Sequence, residues 1–148
     1  MTTMTLRYKQ QQSNLTLREG LSEHLAAEGI VYADDPTFAA HDACHVLFGL
    51  DTSLRDEILV DTWTMLATDM TPGRYAEVLA KPEVSGLLSS VPVGTMLTAS
   101  VRALPDLVRV WWRSRQVTRQ WAFADYSEHL DTPLVELRAR HGIRVLAA

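Results

Sequence analysis

The spacing of the apolar residues constrains the fold of this chain more than any other feature. From about residue 15 onward, apolar side chains recur three and four positions apart, and helix-forming residues fill the stretches between prolines and glycines. This repeat gives each segment one apolar helical face, whereas half-buried strands would show an alternating pattern. The sequence therefore predicts an all-α fold, a single-domain helical bundle of about six to seven helices.

The ends of the predicted helices are marked by residues with known terminal preferences. Starts are expected where a capping side chain or a proline precedes an apolar run, at Asp35 with Pro36, Ser53, Pro105 and Pro133. Stops are expected at Gly29, Gly49 and Gly142. The predicted helices cover residues 15–28, 36–48, 53–69, 73–80, 92–103, 105–121 and 133–140.

Length and charge narrow the class of protein. A chain of 148 residues that is 47% hydrophobic and 22% charged can bury one real core, so residues 15–148 are expected to form a single helical domain. Residues 1–14 are polar and are predicted to form a flexible N-terminal arm. A net charge of -4 argues against a nucleic-acid partner, because phosphate binding needs a basic surface.

The chain contains a single cysteine, Cys44, which limits the chemistry of any metal site. One cysteine cannot form an internal disulfide, and this usage is typical of a reducing compartment, so a cytoplasmic location is expected. A bound metal would need nitrogen and oxygen ligands. Cys44 itself is expected to be buried as a packing residue.

Residues 41–45, His-Asp-Ala-Cys-His, lie inside the second predicted helix. Residues four apart lie about 40° apart on one helical face, so His41 and His45 can hold one ion between them. Asp42 projects about 60° from His45, where its carboxylate is either a third ligand or a partner that orients a ligating imidazole. The spacing leaves both roles of Asp42 open.

Glu57 can join the two histidines only if the chain reverses between them. Residues 49–53, Gly-Leu-Asp-Thr-Ser, have the composition of a turn, which would place Glu57 in the first turn of an antiparallel helix facing the histidines. A set of two histidines and one carboxylate suits zinc, iron or manganese. Asp61, on the same face as Glu57, is a candidate outer carboxylate or alternative ligand. The alternative interpretation is a hydrogen-bonded pair of core histidines beside a solvated acid.

The arrangement His-Asp-x-x-His, then eleven residues, then Glu resembles the signature of the ubiquinone (coenzyme Q) biosynthesis Coq-four family. His41, Asp42, His45 and Glu57 match that signature position for position. Residues 131–143, Asp-Thr-Pro-Leu-Val-Glu-Leu-Arg-Ala-Arg-His-Gly-Ile, are similar to the closing helix of the family. The resemblance therefore extends over about residues 36 to 143.

The resemblance implies an all-helical protein that binds a divalent metal, with zinc as the first expectation and iron or manganese as alternatives. It also implies a role in ubiquinone biosynthesis, on an aromatic or quinone-like small molecule that carries a prenyl tail. The family is linked to removal of a ring carboxylate with oxidation at that carbon. A metal with open positions could steady an electron-rich ring as it loses carbon dioxide, whereas activation of dioxygen would favour iron because zinc has no redox chemistry.

Two departures from the family bear on the substrate. Members carry Tyr and Arg immediately before His-Asp, but residues 37–40 here are Thr-Phe-Ala-Ala, so a basic contact to an acidic substrate group is missing. Longer members have Trp, Gly and Lys ahead of the closing helix, where residues 111–115 here are Trp-Trp-Arg-Ser-Arg. One alternative is therefore a tailoring enzyme for another aromatic metabolite, and another is a non-catalytic organiser that binds prenyl-quinones or lipids.

Aromatic residues near the motif are candidates for a ring pocket. Phe38 and Phe48 project within about 20° of the motif histidines, although packing in the core is the stronger interpretation for a phenylalanine on a helix face. The other three histidines have no acidic or histidine partner at ligand spacing. They are expected at the surface or at helix ends: His24, His129 and His141.

A basic segment near the end of the chain suggests a surface contact. Trp112, Arg115 and Arg119 fall outside the apolar face predicted for residues 105–121. Tryptophan beside arginine is typical of peripheral contact with a membrane and is equally typical of protein interfaces. For a cytoplasmic protein, the membrane contact would be with the inner face. Peripheral membrane contact and a homo-oligomer are both open alternatives.

Overall fold

The computed structural model describes residues 6–29 and 35–147, and within these ranges the chain forms seven α-helices and no strand. The helices are α1 (Leu17–Glu28), α2 (Pro36–Phe48), α3 (Leu54–Ala67), α4 (Pro72–Leu79), α5 (Pro82–Ser90), α6 (Val93–Ser114) and α7 (Leu134–His141). Two 3-10 segments, Arg7–Lys9 and Phe123–His129, complete the elements. The prediction of an all-α helical bundle is confirmed.

Local signals in the sequence set the ends of α2 and α3 as predicted. The carboxylate of Asp35 accepts a hydrogen bond from the backbone N–H of Thr37 at 2.8 Å, which caps the start of α2. The hydroxyl of Ser53 accepts from the backbone N–H of Asp56 at 3.3 Å and caps α3. Gly49 ends α2 with φ at 71°, in the left-handed region where a side chain is strained. Together these residues frame a short turn between the two helices.

The structure contains a helix, α5, that the sequence pattern does not predict. Its residues include Gly86 and several serines, a composition typical of a break between helices. Pro82 nevertheless occupies the first turn, where its missing N–H costs nothing and its fixed φ suits a helix. No residue of α5 is buried, so local geometry rather than packing starts this helix.

The prediction of two separate helices over residues 92–103 and 105–121 is wrong. The structure has one continuous helix, α6, from Val93 to Ser114. Pro105 lies inside α6 instead of opening a helix. Pro105 is exposed, so water can reach the carbonyl that its missing N–H leaves without a partner, and the helix continues. Beyond the end of α6, the backbone N–H of Trp121 donates to the carbonyl of Ala67 at the end of α3.

The prediction of a flexible arm over residues 1–14 is wrong for residues 6–14, while residues 1–5 lie outside the described ranges. Tyr8 is fully buried, and its hydroxyl donates a hydrogen bond to the carbonyl of Leu50 at 3.1 Å. The buried guanidinium of Arg138 donates to the carbonyl of Tyr8 at 2.6 Å. Polar composition misleads here because one aromatic ring and backbone hydrogen bonds, not an apolar run, hold this segment.

The core is arranged around α2, which contacts α1, α3, α7 and both 3-10 segments. The rings of Phe48 and Trp63 stack with their centroids 4.9 Å apart, and this pair joins α2 to α3. On its other side α3 packs against α6, whose buried residues are Ala103 and Val110. Since α4 and α5 contribute no buried residue, they lie at the edge of the bundle.

The surface of α5 and α6 is unusually apolar. Trp112 is exposed, as its position outside the predicted apolar face implies, and Leu104 and Trp111 are exposed as well. Among the described residues, each helix taken singly is too short or too polar to cross a membrane. Only α5 and α6 together have the length and composition for a crossing, and a bend of 92° separates them.

Candidate metal centre

The turn between α2 and α3 brings three of the predicted ligands together. His41 and His45 lie one turn apart on α2, and their Nε2 atoms are 3.1 Å from each other. The chain folds back after α2, so Glu57 in the first turn of α3 points at both rings. Its two carboxylate oxygens lie 3.4 Å from His41 Nε2 and 3.3 Å from His45 Nε2. The predicted reversal of the chain thus forms as the ligand set requires.

The three donor atoms form a triangle with the dimensions of a metal site. Four ligands placed tetrahedrally at about 2.0–2.1 Å from zinc lie roughly 3.3–3.4 Å from one another. The two imidazole nitrogens are 3.1 Å apart, one Glu57 oxygen is 3.4 Å from His41 Nε2, and the other Glu57 oxygen is 3.3 Å from His45 Nε2, so each contact is close to this spacing. With one donor atom taken from each residue, all three atoms lie within 4.8 Å of one another. Two imidazole nitrogens and one carboxylate oxygen are also ligands that zinc, iron and manganese accept. The residues present therefore fit a divalent metal ion.

The triangle is open on one side. The side chain of His45 is 1% exposed, whereas those of His41 and Glu57 are 28% and 36% exposed. Catalytic metal sites leave a position open to solvent or substrate, while structural sites are closed by four protein ligands. The geometry is therefore that of an accessible centre with one deeply held ligand.

Charged groups hold the turn that places Glu57. The ammonium of Lys9 lies 2.7 Å from the carboxylate of Asp51 and 3.3 Å from that of Asp56. The Asp56 carboxylate also accepts the backbone N–H of Asp51 at 2.9 Å. Burial raises the pKa of Asp51, but its contacts with Lys9 and Ser53 outweigh this effect and hold that pKa below its ordinary value. A cation from the first 3-10 segment therefore stabilises the reversal.

Mutual contacts set the protonation of the site residues. Burial acts to raise the pKa of Glu57, but its hydrogen bonds with His41 and His45 prevail and bring that pKa to about 2. For His41, burial acts to lower the pKa, but the Glu57 carboxylate outweighs it and the pKa rises above its ordinary value. Glu57 is therefore ionised at neutral pH, the form in which a carboxylate binds a metal.

Asp42 lies outside the donor triangle. Within the described residues, the only group of metal-binding side chains whose donor atoms converge is His41, His45 and Glu57. The carboxylate of Asp42 instead approaches His24, with Oδ1 3.7 Å from His24 Nε2. The structure shows neither of the two roles that the spacing leaves open, because Asp42 lies outside the cluster and its nearest imidazole, His24, is not one of the three residues of that cluster.

His24 is the residue of this region that sequence reasoning missed, and its expected surface position is wrong. It is fully buried and stacks on the ring of His45, with centroids 5.1 Å apart and planes 24° apart. Its Nδ1 lies 3.0 Å from the hydroxyl of Tyr8. The signal was present, because Leu17, Leu21 and His24 recur at helical spacing and share the buried face of α1.

The remaining motif residues do not join the metal ligands. Burial raises the pKa of Asp61, a hydrogen bond from Tyr75 opposes that rise, and the carboxylate lies outside the triangle. Asp61 is therefore a nearby carboxylate that acts on His41 through its charge and does not bind the metal position directly. Cys44 is buried as expected, and burial raises the pKa of its thiol to about 12. It is a packing residue.

A cavity of about 360 Å³ opens beside the first turns of α2. Its wall includes Ala40, the residue before His41, together with the cationic side chains of Arg74 and Lys81. Residues 37–40 carry no basic residue, but α4 and the residue before α5 supply positive charge from outside the motif. The wall is mixed in charge, because Glu77 also lines the cavity and the Lys81 ammonium pairs with the carboxylate of Asp35.

The two phenylalanines expected near the motif do not form this wall. Phe48 belongs to the core through its stacking on Trp63. Phe38 is half-buried, and the ammonium of Lys81 lies 5.4 Å from the centre of its ring. The cavity is lined instead by other apolar residues, among them Met70, Val78 and Phe123.

The chain was compared with families, individual proteins and structures that are already known. No protein-family model, curated protein or solved structure matches it. The resemblance to the Coq-four family therefore rests on the motif residues and on the closing segment. The donor triangle stands independently on the geometry of this chain.

Proposed function

We propose that this chain is a divalent-metal-dependent enzyme that removes a carboxylate from an aromatic ring, as the Coq-four resemblance implies for quinone biosynthesis. The observation that carries the proposal is the triangle formed by His41, His45 and Glu57, which fits a metal and opens on one side. Zinc is the first expectation, with iron and manganese as alternatives. We expect a cytoplasmic protein whose substrate is a small aromatic or quinone-like acid.

Two groups of residues are proposed to have separate roles: His41, His45 and Glu57 would hold the metal, and residues of the neighbouring cavity would contact the substrate. His45 is fixed from one side by the ring of His24, and Glu57 is held ionised by the two histidines. A bound divalent ion would supply positive charge where negative charge develops on the ring as its bond to the carboxylate breaks. Arg74 and Lys81 line the neighbouring cavity, where an acidic ligand would compete with Glu77 of the same wall and with Asp35, the ion-pair partner of Lys81.

Oxidation at the same ring carbon, which the resemblance adds, has further requirements. Replacing the carboxylate by a hydroxyl with dioxygen as oxidant releases carbon dioxide and water and consumes two electrons and two protons. An external two-electron donor must then be a co-substrate. Because zinc has no redox chemistry, this form of the reaction requires iron or manganese in the site.

The second candidate is a tailoring enzyme that acts on an unprenylated aromatic acid, and it requires that the substrate ring occupy the cavity beside Ala40. Ligand pockets range over roughly 300–1,000 Å³, and a cavity of about 360 Å³ has room for an aromatic ring. The third candidate, a non-catalytic organiser with a structural metal, is disfavoured by the open side of the triangle.

Metal analysis of the purified protein tests the centre itself. We expect stoichiometric metal in the wild-type chain and its loss in His41→Ala and Glu57→Gln. His129→Ala serves as the matched control, since this histidine lies outside the triangle, and it should retain the metal. A wild-type protein that stays empty under metal-replete conditions contradicts the proposal.

Turnover tests the reaction. Release of carbon dioxide from a carboxyl-labelled hydroxybenzoic acid, offered with and without a prenyl chain, should depend on Glu57 and on the bound metal. Release from the prenylated acid alone supports the quinone pathway, whereas release from the unprenylated acid alone supports the tailoring enzyme. A metal-loaded protein inactive on both acids refutes the enzymatic role.

A further inference from the structure

The exposed apolar residues of this protein are concentrated on two helices. Of the ten large apolar side chains recorded as exposed among the described residues, only Leu66 lies elsewhere. The other nine are on α5 and α6: Leu87, Leu88, Val93, Leu97, Val101, Leu104, Val108, Trp111 and Trp112. A monomer rarely exposes a contiguous apolar patch above about 300–600 Å² without using it. This concentration therefore indicates a surface that is covered in the working protein.

The spacing of these residues along α6 follows a heptad pattern. Leu97, Val101, Leu104, Val108 and Trp111 are separated by steps of four, three, four and three residues, and each is between 48% and 65% exposed. On a helix they fall within an arc of roughly 80°, narrower than the face with which a helix enters a globular core. We call these five residues the α6 seam. An alternating four-and-three repeat is the pattern that packs against another α-helix.

The seam is separate from the face that α6 uses inside its own chain. The buried residues of α6 are Ala103 and Val110, which face α3. They project roughly 120–140° away from the centre of the seam. The helix therefore has two apolar faces, one filled by the core and one without a partner among the described residues.

Two arginines within α6 do not form the cationic border that a membrane-bound helix uses, and the only cation in line with the seam among the described residues is Arg115 at the end of the helix, which stacks on the ring of Trp111 at 4.9 Å. Arg109 donates to the carbonyl of Leu146 at 2.9 Å and pairs with Asp106, and Arg113 donates to the carbonyl of Arg144 at 3.3 Å. These two arginines hold the segment after α7 and project roughly 120–160° away from the seam. Lipid headgroups need cationic side chains that are available at the edges of the apolar face. The net charge of -4 also disfavours anionic lipid.

We propose that the α6 seam pairs with the same seam of a second copy of this chain, forming a two-fold symmetric dimer. An identical face is a suitable partner because the five seam residues carry no charge, so bringing two copies together opposes no like charges. Val101 and Val108 occupy one heptad position, and the other is occupied by Leu97, Leu104 and, at the end of the seam, Trp111. Valine at the first position with leucine at the second favours two-stranded parallel pairing. A standard interface buries roughly 800 Å² per partner, so the proposed interface includes exposed apolar side chains that flank the seam as well as its five residues.

The oligomeric state of single-residue variants tests the seam. Wild-type protein should have twice the chain mass of 16.6 kDa by light scattering at micromolar concentration, and Val101→Asp and Leu104→Asp should halve it. Thr95→Asp is the matched control, because Thr95 is exposed on the polar side of the same helix, and it should stay dimeric. Circular dichroism and metal content should be unchanged in all three variants, which separates this test from that of the metal centre.

Crosslinking gives a second measurement that does not depend on destabilising a dimer. Because Cys44 is buried, a cysteine introduced at Val101 or Leu104 reports on its own surroundings. Oxidation should form a disulfide between two chains in at least one of these seam variants. It should form none in the control variant Thr95→Cys. A monomeric wild type, or dimers that survive both aspartate substitutions, overturns the proposal. So does a monomer that binds phosphatidylserine vesicles through the seam, since that outcome assigns the face to a membrane.

Discussion

Replacing Arg138 with methionine should destabilise the protein more than any other change to a charged side chain outside the metal centre. The guanidinium is fully buried and donates hydrogen bonds to backbone carbonyls of Leu47 and Val46, each at 2.8 Å, and of Tyr8 at 2.6 Å, with a further bond to Gln10. Burial lowers the pKa of Arg138 to about 10, so the side chain remains charged at neutral pH. It joins the C-terminal end of α2 to the N-terminal segment.

The size of the effect follows from the carbonyls that are left behind. Methionine keeps much of the apolar stem, but it leaves several buried carbonyls without a donor, each at a cost of about 1–3 kcal/mol. The wild-type chain also carries the cost of burying a charge, which the substitution relieves, so a net loss of about 3–5 kcal/mol is expected. For a domain of this size that corresponds to a fall in Tm of roughly 6–20 °C.

Thermal and urea denaturation followed by circular dichroism measure this loss. Arg140→Met is the matched control, because Arg140 lies two residues later on α7, is exposed, and pairs only with Glu136 at i−4. The control should change the free energy of unfolding by no more than about 0.5 kcal/mol. If Arg138→Met lowers that free energy by less than about 1 kcal/mol, the carbonyls have found other partners and the reasoning is refuted.

Three further predictions concern packing, capping and pH. Gly20→Ala should lower the free energy of unfolding in urea by about 1–2 kcal/mol, because the new Cβ would lie 2.5 Å from buried Val46. So close a contact puts the cost of overpacking at about 2–3 kcal/mol, the upper part of its usual range, against a gain in helix propensity of about 1 kcal/mol. Unchanged stability would show that the helices can separate. Ser53→Ala removes the hydroxyl that caps α3 and should lower the free energy of unfolding in urea by about 1 kcal/mol. An unaltered urea midpoint would contradict this assignment of the cap. The third prediction concerns the metal-free protein. The lowered pKa of Glu57 adds stability that is fully present above its unfolded value of 4.5 and is lost as the pH falls toward about 2. The raised pKa of His41 adds stability that is fully present below its unfolded value of 6.5 and is lost as the pH rises above it. The contribution of the pair, taken as the difference between wild type and Glu57→Gln in urea at each pH, should therefore peak between 4.5 and 6.5, and a flat difference would contradict the assigned contacts.

The metal centre shows which features a sequence can reveal. His41 and His45 were predictable because one helix fixes their relation, and Glu57 because glycine and capping signals marked the turn before it. All of this information lies within residues 41–57, where local geometry is decisive. The orientation of Asp42 was not predictable, because it depends on His24 in another helix.

Residues that act across long separations in the chain escaped prediction for a physical reason. The pattern of α7 gives no sign that Arg138 is buried, because its partners are backbone carbonyls and any residue type can supply those. The continuation of α6 through Pro105 depends on its solvent exposure, which is a property of the assembled bundle. Periodicity identifies an apolar face but does not say which partner covers it, and the α6 seam is an example.

The contact between Arg138 and the N-terminal segment also bears on how the metal centre can form. A hydrogen bond that joins Arg138 to Tyr8 spans 130 residues of sequence, and the same guanidinium closes the end of the helix that carries both histidines. Contacts of such long range close a large loop, and the entropy lost in that closure must be offset by the rest of the bundle. A fragment that contains only α2 and the turn to Glu57 would therefore carry all three ligands and still lack the scaffold that holds them in place.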